Sequence, residues 1–452
     1  LPSGVLSTQG QGLQIGGSLY EPHIAGRVDL KRGNFWTGTD SVPIDEAYVD
    51  FAGRRGAIAL SRFHLKSAGL MLEGRGNRTA DGNLNGQLWA DKLSLETLSQ
   101  FGFDTHGWNG TVDAALTFHE TKGGSPEAWV AVQGENLQPT MEGVFGIRRL
   151  VLGQVDRTLK GIPFTTAGKG IAVRLEDKEV VVDLPDQGAE VEWDTPVPSK
   201  ALAHGQVSWS ELPAAAQKPV DWLLSPTGPR FGSKNGPLKL EVDNFAWVLM
   251  RQLLALDKDS RVGSITGDIE LLGQYYEQHR TKNPTLSGKP LLSASLEKMI
   301  LEGPGAVWSG VQLASPLQMA YQVVPGAGWV HLQPTTLEFF HRVSPQLKMN
   351  APKNVEEPNS KAMAVAPESP QEIKGKLNLD ASFVAMENPG AKKLASLSPD
   401  QSAHASLQDL DMQNLSFLFP RLTRLGGTAS RVELTSKGPF AQPDAQLTVA
   451  GQ

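Results

Sequence analysis

Residues Gly12–Gly33 read GLQIGGSLYEPHIAGRVDLKRG, two apolar strand patterns joined across a turn that carries glycine and proline. Versions of this phrase recur at Thr111–Gly134, at Gly267–Leu296 and at Ala429–Gly451. The turn prolines of the last three copies follow one another at a nearly constant interval, which the first copy breaks. Self-similarity at a long period indicates an array whose units pack their apolar faces on one another. Such an array presents a long surface more readily than a compact catalytic cleft.

Composition narrows the class of protein. The chain has 452 residues, a formal net charge of −6 and no cysteine. Disulfides, cysteine-based zinc sites and thiol nucleophiles are therefore excluded, and the charge gives no basic footprint for nucleic acid. Its 47 glycines and 30 prolines favour many turns over long helices. No stretch approaches the roughly 18 uncharged apolar residues of a membrane-spanning helix.

Period-2 alternation predicts strands throughout the chain. Ile24, Val28 and Leu30 share one face of a predicted strand, and the charged Arg27 and Asp29 alternate with them. The same alternation predicts further apolar strand faces, formed by Val112, Leu116 and Phe118, by Ile269 and Leu271, and by Leu377, Leu379 and Phe383. One face is apolar and the other is wet, which favours a single sheet of antiparallel type.

Helical patterns are few, and each precedes a copy of the phrase. We expect short helices within Ser94–Phe103 and Asn244–Leu256, and a third within Met412–Leu422 that Pro420 interrupts. Residues 350–373 are rich in proline, serine and charge without any period, which predicts a flexible loop or linker.

These patterns predict a mostly β fold, an elongated curled β-sheet groove built as a solenoid of repeats, with a few short amphipathic helices. The approximate repeat units are 1–87, 88–240, 241–405 and a partial 406–452. Both ends stop inside strand patterns, and the first residues lack the features of a signal peptide. We therefore interpret 1–452 as an internal segment of a longer protein.

Residue clusters that could carry chemistry are sparse. The nine histidines are scattered, and none belongs to an HExxH motif. The glycines of Gly10–Gly17 have the wrong spacing for a dinucleotide loop. The pairs Asp183/Asp186 and Asp409/Asp411 are typical of acidic surfaces, whereas a glycosidase needs two carboxylates flanking one cleft. The sequence predicts no enzyme, no catalytic residue, no metal site and no cofactor.

The apolar strand faces remain as the functional signal. The predicted helices are too few and too short to cover them, so a curled sheet would keep an elongated apolar groove. Extended apolar surface indicates a ligand or a partner. Acyl chains fit such a groove, because each buried CH₂ contributes about 0.8 kcal/mol without directional contacts.

The segment GSLYEPHIAGRVDLKRGNFWTG, Gly17–Gly38, resembles the repeated segments of the TamB family, the translocation and assembly module proteins. This family belongs to the AsmA-like group of bridge-like lipid-transfer proteins. Leu88–Phe118 resembles the same unit, with a strand, a short L-x-x-L helix and a glycine-led strand. The likeness recurs at Asp243–Leu296 and Leu407–Gly451.

The resemblance implies a taco-like β-groove in the periplasm of the Gram-negative cell envelope. It implies that phospholipids pass along the groove for outer-membrane biogenesis. An inner-membrane anchor and an Omp85-type barrel partner would involve regions outside this chain. The residues implied as lipid-groove candidates are Ile24, Val28, Leu30, Val112, Leu116, Phe118, Ile269, Leu271, Leu377, Leu379 and Phe383. The family supplies no catalytic residues.

Two other classes of protein stay open. A surface-exposed β-solenoid adhesin or autotransporter passenger would have a closed, dry core and usually much shorter rungs. A carbohydrate-active β-helix enzyme would need carboxylates clustered on one exposed strand face.

Overall fold

The computed structural model describes residues 3–7, 12–18, 20–36, 41–67, 69–100, 107–140, 145–155, 170–176, 178–195, 197–211, 225, 227–233, 235–249, 262–274, 290–304, 308–324, 327–342, 371–387, 401–411, 427–438 and 444–450. Across these ranges the protein is nearly all β-strand, organised as a long antiparallel sheet of many strands. No helix within them reaches seven residues. The predicted β class is therefore confirmed.

The chain divides into two compact units. Unit 1 comprises Leu1–Asp194 and Leu202–Ser210, and unit 2 comprises Thr195–Ala201 and Glu211–Gln452. The two units are defined by contacts within each of them, whereas the repeat boundaries come from the sequence period. Those boundaries therefore stay a prediction.

Among the described residues, fourteen strands and one short helix lie wholly within unit 1. They are β1 (Ser3–Ser7), β2 (Gln14–Ser18), β3 (Glu21–Trp36), β4 (Ser41–Arg54), β5 (Ala57–Ser67), β6 (Leu70–Arg78), β7 (Leu84–Ser94), α1 (Leu95–Gln100), β8 (Trp108–Glu120), β9 (Glu127–Pro139), β10 (Ile147–Leu152), β11 (Ile171–Glu176), β12 (Glu179–Asp183), β13 (Ala189–Trp193) and β15 (Gln206–Trp209). Strand β14 (Ser199–His204) has residues in both units.

Strands β3 to β9 form a meander in which each strand pairs antiparallel with the next. Local turn geometry closes the hairpin between β4 and β5, where Arg55 and Gly56 both have positive φ, at 51° and 78°. A two-residue turn with positive φ at both positions matches the right-handed twist of the strands on either side. The far edge of β9 pairs with both β10 and β11, and β12, β13 and β15 continue from these.

The core of unit 1 lies under α1. Its buried residues are Leu70, Ala90, Leu93, Val112 and Leu137, and Leu95 and Leu98 of α1 pack against them. The helix begins after Ser94, whose Oγ accepts a hydrogen bond from the Thr97 backbone N–H at 3.3 Å. This is an N-terminal cap. The helix predicted within Ser94–Phe103 is confirmed as the six residues of α1.

In the part of unit 2 that the structure describes, twelve strands lie wholly within the unit. They are β16 (Arg230–Phe231), β17 (Leu238–Ala246), β18 (Val262–Leu271), β19 (Gly273–Gln274), β20 (Leu292–Pro304), β21 (Trp308–Leu313), β22 (Leu317–Val324), β23 (Ala327–Arg342), β24 (Gln371–Glu387), β25 (Gln401–Asp411), β26 (Thr428–Gly438) and β27 (Asp444–Ala450). Strand β18 pairs with β17 and β20, and β20 pairs with both β21 and β22. Strands β23 to β27 form a second meander. A core of Val311, Phe339 and Leu410 lies beside it.

Two helix predictions and the loop prediction have partial outcomes. The segment Asn244–Leu256 was expected to be helical from its start, but residues 244–246 end strand β17, because buried Phe245 pairs there with Ile265. Residues 247–249 are helical, and 250–256 lie outside the described residues. Met412–Leu422 also lies outside them. Of the predicted loop 350–373, residues 371–373 belong to β24, and the rest is not described.

Candidate functional site

The strand register of unit 1 aligns apolar side chains in rows that run across the strands. Three neighbouring rows cross β3 to β9 without a polar side chain. The first is Val28, Val49, Phe63, Gly74, Leu88, Leu116 and Val130; the second is Leu30, Ala47, Leu65, Leu72, Ala90, Ala114 and Val132; the third is Gly26, Phe51, Leu60, Gly76, Gly86, Phe118 and Ala128. We call these rows the unit 1 apolar face. With neighbouring strands about 4.8 Å apart, seven strands give rows roughly 30 Å long.

The opposite face of the same strands carries polar side chains that hydrogen-bond to one another, together with an apolar stretch of Trp89, Ala115 and Ala131. Arg27 Nε lies 2.9 Å from Asp29 Oδ1, and this hydrogen bond raises the pKa of Arg27. The Arg27 guanidinium also lies 3.7 Å from the centroid of the Tyr48 ring. Further along, Arg75 Nε donates to Gln87 Oε1 at 2.8 Å. The predicted apolar face is present in unit 1, but the opposite face is not uniformly wet, because Asp29, Gln87 and Trp89 on it are buried.

Exposure changes along the strands of the apolar face. At the ends beside α1 the side chains are buried, and Val112 is only 6% exposed. Toward the opposite ends exposure rises, from 36% at Leu88 in the middle row to 48% at Ile58 near the strand ends. We call this second end the open margin. It is formed by Ile24, Ile58, Leu60 and Leu84.

Glycines on the apolar face leave room for the larger side chains of neighbouring strands. A Cβ at Gly86 would clash with the ring of Phe118, and one at Gly74 would lie 2.6 Å from Leu88 Cδ2. The Phe118 ring and the Leu88 side chain therefore pack directly over these two glycines.

All six predicted groove residues of unit 1 lie on the apolar face or continue it. Ile24 is 39% exposed on the open margin. Val28, Leu30, Leu116 and Phe118 are half-buried within the three rows, which makes them surface that a ligand could reach. Val112 differs from these, because it is part of the core beneath α1.

The predicted residues of unit 2 also lie in apolar rows. Ile269 pairs with Leu240 and Ala294, and Leu271 pairs with Leu238 and Leu292. Two rows cross β24 to β27; one is Leu377, Leu407, Val432 and Val449, and the other is Leu379, Ala405, Leu434 and Leu447. Leu377 and Leu407 also pack against the unit 2 core. The backbone of Phe383 pairs with Val330, and its side chain lies outside the described part of the structure.

Several residues of the apolar face were missed by sequence reasoning. Leu84 and Leu88 alternate with polar residues, so their period was available in the sequence. The sequence pattern does not reveal that Leu60 and Phe63 share a face, because the pairing of β5 with β6 shifts register between them. A β-bulge of this kind breaks the period-2 pattern that a sequence reader follows.

Of the carboxylates weighed as catalytic candidates, Asp183 has structural partners. Asp183 forms an ion pair with Arg174 and accepts a hydrogen bond from Gln206 Nε2 at 2.8 Å. Within the described residues, no group of three or more His, Asp or Glu side chains could hold a metal ion. The same residues include no helix that is long and apolar enough to cross a membrane.

Comparison with known proteins identifies no relative. No family model matches the chain, and neither a curated protein nor a solved structure matches it.

Proposed function

We propose that this chain is a non-enzymatic segment of a lipid-transfer conduit that carries the acyl chains of phospholipids along its apolar faces. The observation that supports this most directly is the set of three apolar rows on β3 to β9, with exposed apolar side chains beside them on the open margin. A large exposed apolar patch on a folded protein calls for an apolar ligand or partner.

The apolar rows suit the sliding of an acyl chain better than its tight binding at one position. Contacts between apolar groups are non-directional, so an acyl chain loses little by shifting along a row of Val, Leu and Phe side chains. Rows of roughly 30 Å exceed the ~15 Å depth of one hydrocarbon leaflet. An acyl chain can therefore lie along a row while its headgroup stays in water at the open margin.

The resemblance to the TamB family adds a shape for the sheet and a cellular location to this proposal. The sheet would curl into a taco-like groove, and the chain would be a periplasmic segment that contributes to outer-membrane biogenesis. Its inner-membrane anchor and Omp85-type partner would involve regions outside this chain. We propose no nucleic-acid partner, no cofactor and no catalytic role.

A closed-core β-solenoid adhesin is the competing reading of the same pattern. It requires apolar side chains to be enclosed along the whole strand. The enclosure under α1 fits that reading locally, but Ile58 and Leu60 on the open margin are exposed. The open margin therefore favours the conduit.

The test is lipid loading of matched variants. The purified chain is incubated with phosphatidylethanolamine/phosphatidylglycerol vesicles, separated from them, and its bound phospholipid is measured by mass spectrometry. Leu116→Asp places a charge within the central row and should lower bound phospholipid about tenfold. Thr117→Asp adds the same charge one residue later, on the polar face, and should leave binding unchanged.

Folding is checked on the same samples by circular dichroism and thermal melting. If Leu116→Asp does not fold, Leu88→Asp replaces it, because that side chain is already 36% exposed. The proposal would be contradicted if the parent chain bound no phospholipid. It would also be contradicted if a folded apolar-face variant bound as much phospholipid as Thr117→Asp.

A further inference from the structure

The apolar face of unit 1 continues into a fourth row at the open margin. The members of this row pair in order across β3 to β8, and they are Ile24, Gly53, Ile58, Arg78, Leu84 and Glu120. Each lies two residues from a member of the third row on the same strand, so its side chain is on the same face of the sheet. Arg78 is the one cation in the four rows.

Arg78 is an exposed charge between exposed apolar side chains. It is the last residue of β6, and its partners on the two neighbouring strands are Ile58, 48% exposed, and Leu84, 37% exposed. The carboxylate of the same row, Glu120, lies beyond Leu84, two strand spacings or roughly 10 Å from Arg78. In the part of the chain that the structure describes, the Arg78 guanidinium forms no ion pair and no hydrogen bond.

Arginines on the opposite face of the sheet differ, because they have acidic neighbours. Arg54 Nη2 lies 3.6 Å from Glu21 Oε2, and Arg62 Nη2 lies 3.6 Å from Glu73 Oε1. Arg78 instead combines an uncompensated guanidinium with apolar surroundings. A guanidinium binds phosphate through paired N–H donors, and its methylene stem can lie on apolar surface. This combination suits a ligand that is apolar at one end and carries a phosphate at the other.

We infer that Arg78 binds the phosphate of a phospholipid whose acyl chain lies on the unit 1 apolar face. This inference rests on the proposed function and names the residue that orients the lipid. The acyl chain lies along the third row, beside Leu60 and Phe118, and the headgroup faces solvent at the fourth row. An exposed guanidinium alone holds a free phosphate weakly, because water and salt screen its charge. Ile58 and Leu84 add apolar contact that is available only to a lipid.

The experiment compares two lipids with the same acyl chains, one with a phosphate and one without. Vesicles of phosphatidylethanolamine that contain diacylglycerol are incubated with the purified chain, and both bound lipids are measured by mass spectrometry. Arg78→Gln removes the charge from the apolar face. Arg54→Gln is the matched control, because it removes the same charge from the opposite face at the same ends of the strands. Circular dichroism checks the folding of each variant.

We expect the ratio of bound phosphatidylethanolamine to bound diacylglycerol to fall about threefold in Arg78→Gln, the size of one exposed charge contact. The ratio should stay at the parent value in Arg54→Gln, and Arg78→Lys, which keeps the charge, should retain most of it. An unchanged ratio in folded Arg78→Gln would overturn this inference and leave the proposed function in place, because the acyl chains still bind. Failure of the parent chain to bind either lipid would overturn both.

A second measurement separates a lipid phosphate from a soluble one. Glycerophosphoethanolamine has the same headgroup without acyl chains, and it is titrated into the parent chain by isothermal titration calorimetry. We expect no saturable binding, because the apolar contact is missing. Saturable binding that is lost in Arg78→Gln would overturn the lipid assignment and indicate a site for a soluble phosphate ester.

Discussion

Single glycines in this protein are matched to the rings of neighbouring strands. The Phe118 ring covers Gly86 in unit 1, and the Phe340 ring covers Gly310 in unit 2, where it is fully buried. In each case the two residues are directly paired across the strands. A glycine in a strand weakens it on its own, and a neighbouring aromatic ring packed over it recovers apolar contact.

This matching predicts that Gly86→Ala is destabilising. The new methyl group would overlap the Phe118 ring, so either the ring or the strand must shift, at a cost of about 1–3 kcal/mol. The free energy of unfolding, measured by urea denaturation, should fall by that amount. Gly53→Ala is the control, because its Cβ would lie 3.5 Å from its nearest neighbour, the Ala57 carbonyl oxygen. Equal effects of the two changes would contradict the account.

One charged group on the polar face of unit 2 has a shifted titration. The hydrogen bond from Lys376 lowers the pKa of Glu338 below its ordinary value of 4.5, burial opposes this, and Gln312 adds to the lowering. Lys376 Nζ lies 3.0 Å from Glu338 Oε1. Because the folded-state pKa is the lower one, the unfolded chain binds more protons in acid, and the ion pair stabilises the fold above about pH 4.5.

The corresponding prediction concerns Lys376→Gln. The parent chain should be more stable than the variant at neutral pH, and this difference should disappear as the pH falls through the lowered pKa of Glu338. The measurement is urea denaturation of both proteins from pH 7 down to the lowest pH at which both remain folded. A stability difference that stays constant over this range would show that Glu338 does not titrate as described.

At the scale of elements, the short helix α1 closes one end of the unit 1 apolar face. It is only six residues long, and helices of that length are not stable alone in water. Its two leucines, Leu95 and Leu98, pack on the buried cluster, and Ser94 caps its first turn. Tertiary packing and the cap together hold it in place.

Removal of the Ser94 cap should therefore destabilise α1 and its packing on the unit 1 core. We expect Ser94→Ala to lower the free energy of unfolding by about 1 kcal/mol, because the Thr97 N–H loses its acceptor. Ser94→Asp keeps an acceptor at the same position and should retain most of the stability. Both are measured by thermal and urea unfolding. A loss of stability in the aspartate variant as large as in the alanine variant would argue against capping.

At the scale of the whole molecule, each unit has its own apolar rows. In unit 1 they cross β3 to β9, and in unit 2 they include the positions around Ile269 and Leu271 on β18 and those on β24 to β27. Neither unit shows a cluster of ionisable groups suited to a metal among its described residues. Both units thus present the same kind of surface.

On the proposed function, the presence of apolar rows in both units predicts that each unit binds part of the phospholipid. Leu88→Asp and Leu271→Asp change different units, so each should lower the amount of bound phospholipid only in part. The double variant should bind less than either single variant. Mass spectrometry of vesicle-loaded protein measures the amount. If one single variant binds like the parent chain and the double variant binds as much as the other, lower-binding single variant, lipid binding lies in one unit only.

The sequence by itself was sufficient for the strand class and for the sidedness of the sheet. Side chains of a strand alternate between its two faces, so a local pattern such as Ile24, Val28 and Leu30 already identifies an apolar face. The helix after Ser94 was also predictable, because a cap followed by leucines at helical spacing is a local signal.

Other features required the tertiary structure. The bulge between Leu60 and Phe63 and the continuation of β17 through Phe245 depend on partner strands that lie far along the chain. The difference between Val112 in the core and Ile58 on the open margin depends on where α1 packs. Alternation along one strand determines which face a side chain takes, but only the pairing of many strands determines which part of that face is covered. The sequence alone therefore determined an apolar face built from strands, and the tertiary structure decided that this face is closed beside α1 and open at the opposite margin.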